Sequence, residues 1–195
     1  MSRPAVFLDR DGTLIEHIPY LYQQQDIKII PESIEAIRLL NHLGILAIVI
    51  TNQSIVARGY CDEKTLQGLH TYLETQYTDH GVHLDAIYYC PHYPPENAET
   101  SDNSYRIHCN CRKPLPGLVE KAQRDYQIDM TKAAMIGDAI VDIKLAHNLK
   151  IPGILVPSLG QFNKHQHMPF SNYLKAQNIL QAVELCVQKF SVISR

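Results

Sequence analysis

The chain has 195 residues, 45% of them apolar and 19% charged, with a formal net charge of −2. That is ordinary globular composition and enough length for one domain with its own core. It gives no electrostatic reason for nucleic-acid or membrane-surface binding, and no apolar run approaches the roughly 20 residues of a membrane span.

The N-terminus, MSRPAVFLDRDGT, enters a strand-like segment at once, so no signal peptide is expected. A first strand is expected over 5–9. Next comes a helix in PESIEAIRLLNHLG, where Pro31 suits the first turn, Ile34, Ile37 and Leu40 share a face, and Gly44 terminates. The β-branched run 45–51 reads as a second strand. DEKTLQGLHTYLETQY reads as a helix capped by Asp62, with Leu66, Leu69 and Leu73 inward. A third strand, 86–90, leads through a cysteine-rich loop to a helix whose start is expected at Pro114. Strands over 133–138 and 153–157 alternate with helices over 141–149 and 178–190, and 157–173 reads as a loop. Short, fully apolar strands alternating with helices argue an α/β fold, a doubly wound parallel sheet covered on both faces. Ligands of such folds bind beyond the carboxyl ends of the strands.

The strand ends are polar in a particular way. Asp9 and Asp11 follow the first strand, where two close carboxylates are unfavourable unless a cation neutralises them. A hard divalent ion such as Mg²⁺ suits oxygen ligands of this kind, although Asp-Gly is also a common turn pair. Thr51, Asn52, Gln53 and Ser54 end the second strand with groups that can bond an anion or a sugar. Asp138 and Asp142 follow the fourth, where Asp138 also fits a helix N-cap. Arg112 and Lys113 precede a helix start and make either an anion site or a pair of solvated charges.

Three of the five cysteines sit with a histidine in one stretch. Cys90-x-His92 and Cys109-x-Cys111 complete a tetrahedral Cys₃His set, the composition of a structural zinc site with no open position. Metal rather than disulfide chemistry indicates a reducing compartment, and a cytoplasmic location is expected. His108 is then a bystander, Cys186 a buried core residue, Cys61 has no metal partner, and His165 and His167 are solvated. A zinc-knuckle binding module is the rival reading, but it leaves the carboxylate-bearing strand ends unexplained.

Taken in order, DRDGT, VITNQ, RKP and GDAIVD resemble the four motifs of the haloacid dehalogenase-like phosphohydrolases, over residues 5–157. FLDRDGT, TNQS…ARG, YYCPHYP and CNCRKP narrow the resemblance to the capless heptose bisphosphate and histidinol phosphatase subfamily. The resemblance implies a single Rossmann-like domain over 1–195, without a cap and with a zinc-braced loop at 90–111. It implies Asp9 as nucleophile forming an aspartyl-phosphate, and Asp11 as general acid and base. Mg²⁺ would be held by Asp9, Asp138 and the backbone carbonyl of Asp11, with Asp142 orienting that shell. Thr51 and Lys113 would hold the phosphoryl oxygens. Asn52, Gln53, Ser54, Arg112 and Tyr20 would contact substrate, and Arg58 a distal phosphate. The implied substrate is a heptose bisphosphate or related sugar phosphate, used in building lipopolysaccharide core or S-layer glycan. The long loop between the cysteine pairs favours that branch over histidinol phosphate. A monomer with no nucleic-acid or membrane partner is expected. Two positions depart from the family pattern. Ala139 stands where Lys or Arg is usual, and Ile55 where Gly is common, which bears on substrate identity.

Overall fold

The computed structural model describes residues 2–96, 104–159 and 172–193; the His165–His167 pair lies outside them. In chain order the elements are β1 (Arg3–Leu8), α1 (Pro31–His42), β2 (Leu46–Asn52), α2 (Glu63–Asp79), β3 (Ala86–Cys90), α3 (Gly117–Tyr126), β4 (Ile128–Gly137), α4 (Ile140–Leu149), β5 (Gly153–Leu155), β6 (Leu174–Lys175) and α5 (Ile179–Ile193). One six-stranded sheet has the order β3-β2-β1-β4-β5-β6, with every neighbouring pair parallel.

The apolar strands divide their side chains by parity, because successive residues point to opposite faces. Val6 and Leu8 of β1 join Val49, Ile136 and Ile154 beneath α1 and α5, with Ile37, Leu40, Val183 and Phe190. Ala5 and Phe7 join Ile48, Ile50 and Met135 beneath α3 and α4, with Val119, Ala122 and Leu145. Both faces of the central strands are therefore dry, as the unbroken apolar runs require, while the edge strands β3 and β6 stay partly exposed. Cys186 is fully buried on the α5 side.

The helix ends follow local chemistry. Pro31 occupies the first turn of α1. The Asp62 carboxylate caps α2 by accepting from the Thr65 N–H at 2.7 Å.

The structure differs from the sequence reading in four places. Strand β4 begins at Ile128 rather than Ala133, because an irregularity between the Arg3–Ile128 and Ala5–Ala133 pairs absorbs the polar stretch between. Strand β6 has two residues, too short to carry a periodic signal. Helix α3 begins at Gly117, not at Pro114. The cap of α4 is Ala139, not Asp138, and the Asp142 carboxylate accepts from the Ala139 N–H at 3.1 Å.

The order reverses between β1 and β4. From β1 the chain runs outward through β2 to β3, and from β4 outward through β5 to β6. Such a reversal opens a crevice beyond the strands' carboxyl ends. Asp9 and Asp138 each follow directly on one of these two central strands.

Candidate active site

Asp9 is set by the sheet itself, since its N–H donates to Ile136 O at 2.9 Å and continues the β1–β4 ladder. Its Oδ1 accepts from the Arg10 N–H at 2.7 Å. Two glycines let the carboxylates converge. At Gly12, with φ at +80°, a Cβ would collide with the Asp138 carboxylate, and at Gly137 one would collide with that of Asp142. Asp9, Asp138 and Asp142 thus bring carboxylate oxygens within 4.8 Å of one another.

A lysine reaches into this group from the loop before α3. Lys113 Nζ lies 2.8 Å from Asp9 Oδ1 and 2.6 Å from Asp142 Oδ1, with only 3% of the residue exposed. Burial by itself would lower its pKa, but the Asp142 and Asp9 carboxylates outweigh that and raise it, so the amine stays charged. Its backbone is held from β2: the Lys113 N–H donates to Asn52 Oδ1 at 2.9 Å, and Asn52 Nδ2 donates to Lys113 O at 3.1 Å. The Asn52 amide therefore braces the lysine with both of its polar ends.

Three carboxylates against one ammonium leave net negative charge in a buried space. Asp138 is pushed up to about 7 by burial and then by the Asp9 charge. Asp142 is pushed to about 7 as well, chiefly by burial, against the pull of Lys113. Both shifts mark charge that a cation would relieve. An all-oxygen donor set suits a hard divalent ion such as magnesium, so these residues fit that group.

Asp11 has different partners. Its Oδ1 accepts from Arg10 Nε at 3.2 Å and Nη2 at 2.9 Å, while its Oδ2 accepts from Gln53 Nε2 at 2.7 Å. Burial would raise its pKa, yet the Arg10 charge, with hydrogen bonds from Arg10 and Gln53, holds it below the ordinary carboxylate value. Gln53 also donates to Thr51 Oγ1 at 2.8 Å and accepts from Arg10 Nη2 at 2.8 Å. Thr51, Gln53 and Arg10 are all buried. Arg10 and its partner His70 escaped the sequence reading, although an arginine between two aspartates at a strand end was a visible signal.

A further group is aromatic and cationic. Tyr20 stacks on Tyr60 with centroids 4.4 Å apart, and both rings are largely exposed. The Arg58 guanidinium lies 4.1 Å from the Tyr93 ring centroid and its Nε donates to Ser54 Oγ at 3.4 Å. Arg112 lies 5.2 Å over the same Tyr93 ring and donates from Nη1 to His92 O at 3.1 Å. Adjacent in sequence, Arg112 and Lys113 thus diverge, one to the Tyr93 ring and one to the carboxylates. Ile55 is buried in a small cluster with Val56, Leu66 and Leu69.

Cys90, His92, Cys109 and Cys111 form a second convergence. Cys90 Sγ lies 3.0 Å from Cys111 Sγ and 3.6 Å from Cys109 Sγ, and His92 Nδ1 lies 3.2 Å from Cys111 Sγ. All five cysteines are free thiols. Ligands on one zinc at about 2.3 Å sit roughly 3.8 Å apart, so this slightly contracted group fits that ion. The Cys111 thiol is lowered to about 5, chiefly by its hydrogen bond with Cys90, whose own pKa is raised by that bond and by burial. His108 lies outside this group and pairs with Glu96 at 2.6 Å.

Known proteins share this architecture. A family model described as HAD-hydrolase-like matches residues 110–182. The D-glycero-beta-D-manno-heptose-1,7-bisphosphate 7-phosphatase of Photorhabdus laumondii is 44% identical over 149 residues, 76% of this chain and 77% of that protein. The enzyme of the same name from Escherichia coli K12 is 39% identical over 145 residues, 74% of each. The crystal structure of a D,D-heptose 1,7-bisphosphate phosphatase from B. bronchiseptica, complexed with magnesium and phosphate, superposes with a TM-score of 0.79 at 27% identity. It covers 97% of this chain and 99% of that one.

Proposed function

The chain belongs to the haloacid dehalogenase-like phosphohydrolases, in the subfamily of the heptose bisphosphate phosphatases, and from that membership we propose its substrate, its cofactors and the part each residue plays. It is a phosphoric monoester hydrolase. The substrate we assign is D-glycero-D-manno-heptose 1,7-bisphosphate, losing its 7-phosphate during heptose precursor synthesis for lipopolysaccharide core or S-layer glycan, in the cytoplasm. The relatives' names support the substrate. The observation that carries the chemistry is the convergence of Asp9, Asp138 and Asp142 at the strand reversal, with Lys113 paired to Asp9 and Asp142.

In this reading Asp9 attacks phosphorus and the ester oxygen leaves, giving an aspartyl-phosphate and so dividing one slow step into two. Asp11 gives a proton to the departing oxygen, then takes one from the water that opens the intermediate. For either duty its carboxylate turns out of the grip of Arg10 and Gln53. The Lys113 ammonium and Thr51 hydroxyl hold the phosphoryl oxygens, where a fixed buried charge acts more strongly than in water. Asp9, Asp138 and the Asp11 carbonyl would hold magnesium, whose chemistry is charge neutralisation and Lewis acidity at the phosphoryl group. Asp142 orients this set, since one of its oxygens meets Lys113 and the other the Ala139 N–H. Arg112, Ser54, Arg58 and Tyr20 face the sugar and its second phosphate. Zinc at Cys90, His92, Cys109 and Cys111 has a structural part, with no ligand position left for substrate. The chain acts as one capless domain and a monomer, on a small molecule alone.

The test is a phosphate-release assay with and without Mg²⁺. It compares the heptose bisphosphate with hexose bisphosphates, histidinol phosphate and simple monoesters, and reads the position of cleavage by phosphorus NMR. Mg²⁺-dependent loss of the 7-phosphate, at the highest kcat/KM of the set, is expected. A preference for histidinol phosphate, or cleavage at the anomeric phosphate, overturns the assignment.

A further inference from the structure

The inner face of α2 carries Leu66, Leu69, Leu73 and Tyr77, and among them His70, 6% exposed. A buried imidazole is unfavourable unless its polar atoms are paired. Here Nε2 lies 3.1 Å from Arg10 Nη1. A guanidinium has only donors, so Arg10 donates and Nε2 presents its lone pair, which makes the ring neutral with its proton on Nδ1. Burial, then the Arg10 charge, hold His70 at about 3, so it remains an acceptor across the ordinary pH range.

The contact matters because of what else Arg10 does. Its Nε and Nη2 hold Asp11, and its Nη2 also meets Gln53 Oε1 at 2.8 Å. Arg10 and Asp11 are neighbours in the turn that follows β1. The guanidinium that forks onto Asp11 is held from two other elements as well: Gln53 at the end of β2 and His70 from α2. Together they hold the guanidinium, and the guanidinium holds the Asp11 carboxylate, which is not part of the group formed by Asp9, Asp138 and Asp142.

We propose that His70 is a positioning residue for the acid–base step: acting through Arg10, it shares the guanidinium and sets how firmly Asp11 is held away from the phosphoryl site. This rests on the reading of Asp11 as the acid–base group. If the acceptor is removed, a buried charged N–H loses its partner, which is costly. The guanidinium then turns its whole charge on the remaining acceptors, chiefly Asp11. Release of that carboxylate becomes harder, while the groups that bind phosphate, Lys113 and Thr51, are untouched.

The experiment compares wild type, His70→Leu, His70→Phe and His70→Gln. For both acceptor-free variants we expect kcat to fall on the order of tenfold, part of the effect of a whole acid–base group, with KM within about twofold. His70→Gln, whose amide oxygen can take the same N–H, recovers most of the loss. A merely structural histidine would show no such split and no rescue. Wild-type kcat in either acceptor-free variant overturns the proposal, as does equal loss in all three. If only His70→Gln yields folded protein, a kcat within about threefold of wild type supports the proposal and a tenfold loss overturns it. Crystal structures of wild type and His70→Gln give a second readout that needs no turnover. The Arg10–Asp11 fork kept in both supports the proposal, and its absence in wild type defeats it. Failure of wild type to release phosphate from any monoester would instead defeat the phosphatase reading, and the structures would still judge the anchoring of Arg10.

Discussion

The strand-end carboxylates and the loop cysteines are both convergences of potential metal ligands, yet they are built in opposite ways. Asp9, Asp138 and Asp142 come from two central strands and the helix that follows one of them, and they are left with excess negative charge around one lysine. Cys90, His92, Cys109 and Cys111 come from two short segments with each pair separated by one residue, and they make a complete four-donor set. Unbalanced charge in a crevice makes a place for a cation and a phosphate, whereas a closed set can only brace. The two regions meet at one peptide stretch, because Lys113 stands two residues beyond Cys111. In the proposed function zinc there would help aim the charge on which the other region depends, and Asn52 holds the same lysine from the sheet side.

Removing the proposed nucleophile gives the largest contrast. Asp9→Asn should lower phosphate release by on the order of 10³-fold or more while circular dichroism still reports a folded chain. Near-normal turnover would mean that the strand-end region is not the catalytic one. Next, Cys111→Ser should lose zinc by elemental analysis, lower the melting temperature and reduce kcat/KM by about 10- to 100-fold, with Mg²⁺ affinity retained. A zinc-free protein with wild-type kinetics would show the two regions to be independent.

Asn52→Ala tests the link itself. It removes both hydrogen bonds to the Lys113 backbone, and a loss of about 1–3 kcal/mol in urea-unfolding stability is expected, with KM rising more than kcat falls. An unchanged KM would show that the cysteine loop alone positions the lysine.

The smallest effect concerns acid. His70 is held near 3 in the folded protein and titrates near 6.5 when unfolded, so below pH 6.5 the unfolded chain binds the extra proton. Its contribution to stability is present above that value and declines as pH falls, by at most about 1.4 kcal/mol per pH unit. Asp138 and Asp142, raised in the fold, act with opposite sign over part of the same range. The difference between wild type and His70→Gln isolates the histidine. Urea-unfolding curves at pH 4.5 and pH 7 should show the variant losing less stability, and identical losses would mean that His70 is not held neutral.

Much of this architecture is legible before any coordinates. The first five strands are written as apolar runs, since a sheet buried on both faces needs them, and the polar residues that end those runs mark the site. The two-residue β6 has no pattern to read, and the first half of β4 is polar because an irregular pairing tolerates it there. Position along the chain also misled about Arg112 and Lys113. They look like a pair at a helix start, but α3 begins later and the two side chains part.

What the sequence by itself determined is what depends on neighbours along the chain: the alternation of strand and helix, the carboxylates at strand ends, and the paired spacing of Cys90 with His92 and of Cys109 with Cys111. Tertiary structure alone decided the rest. It joined Lys113 to Asp9 and Asp142, turned the Asn52 amide onto the Lys113 backbone, and set His70 of α2 beneath Arg10. The reason is physical. Periodicity and spacing express local geometry, whereas a buried charge finds its partner through chain folding that brings distant segments together, and that pairing leaves no periodic mark in the sequence.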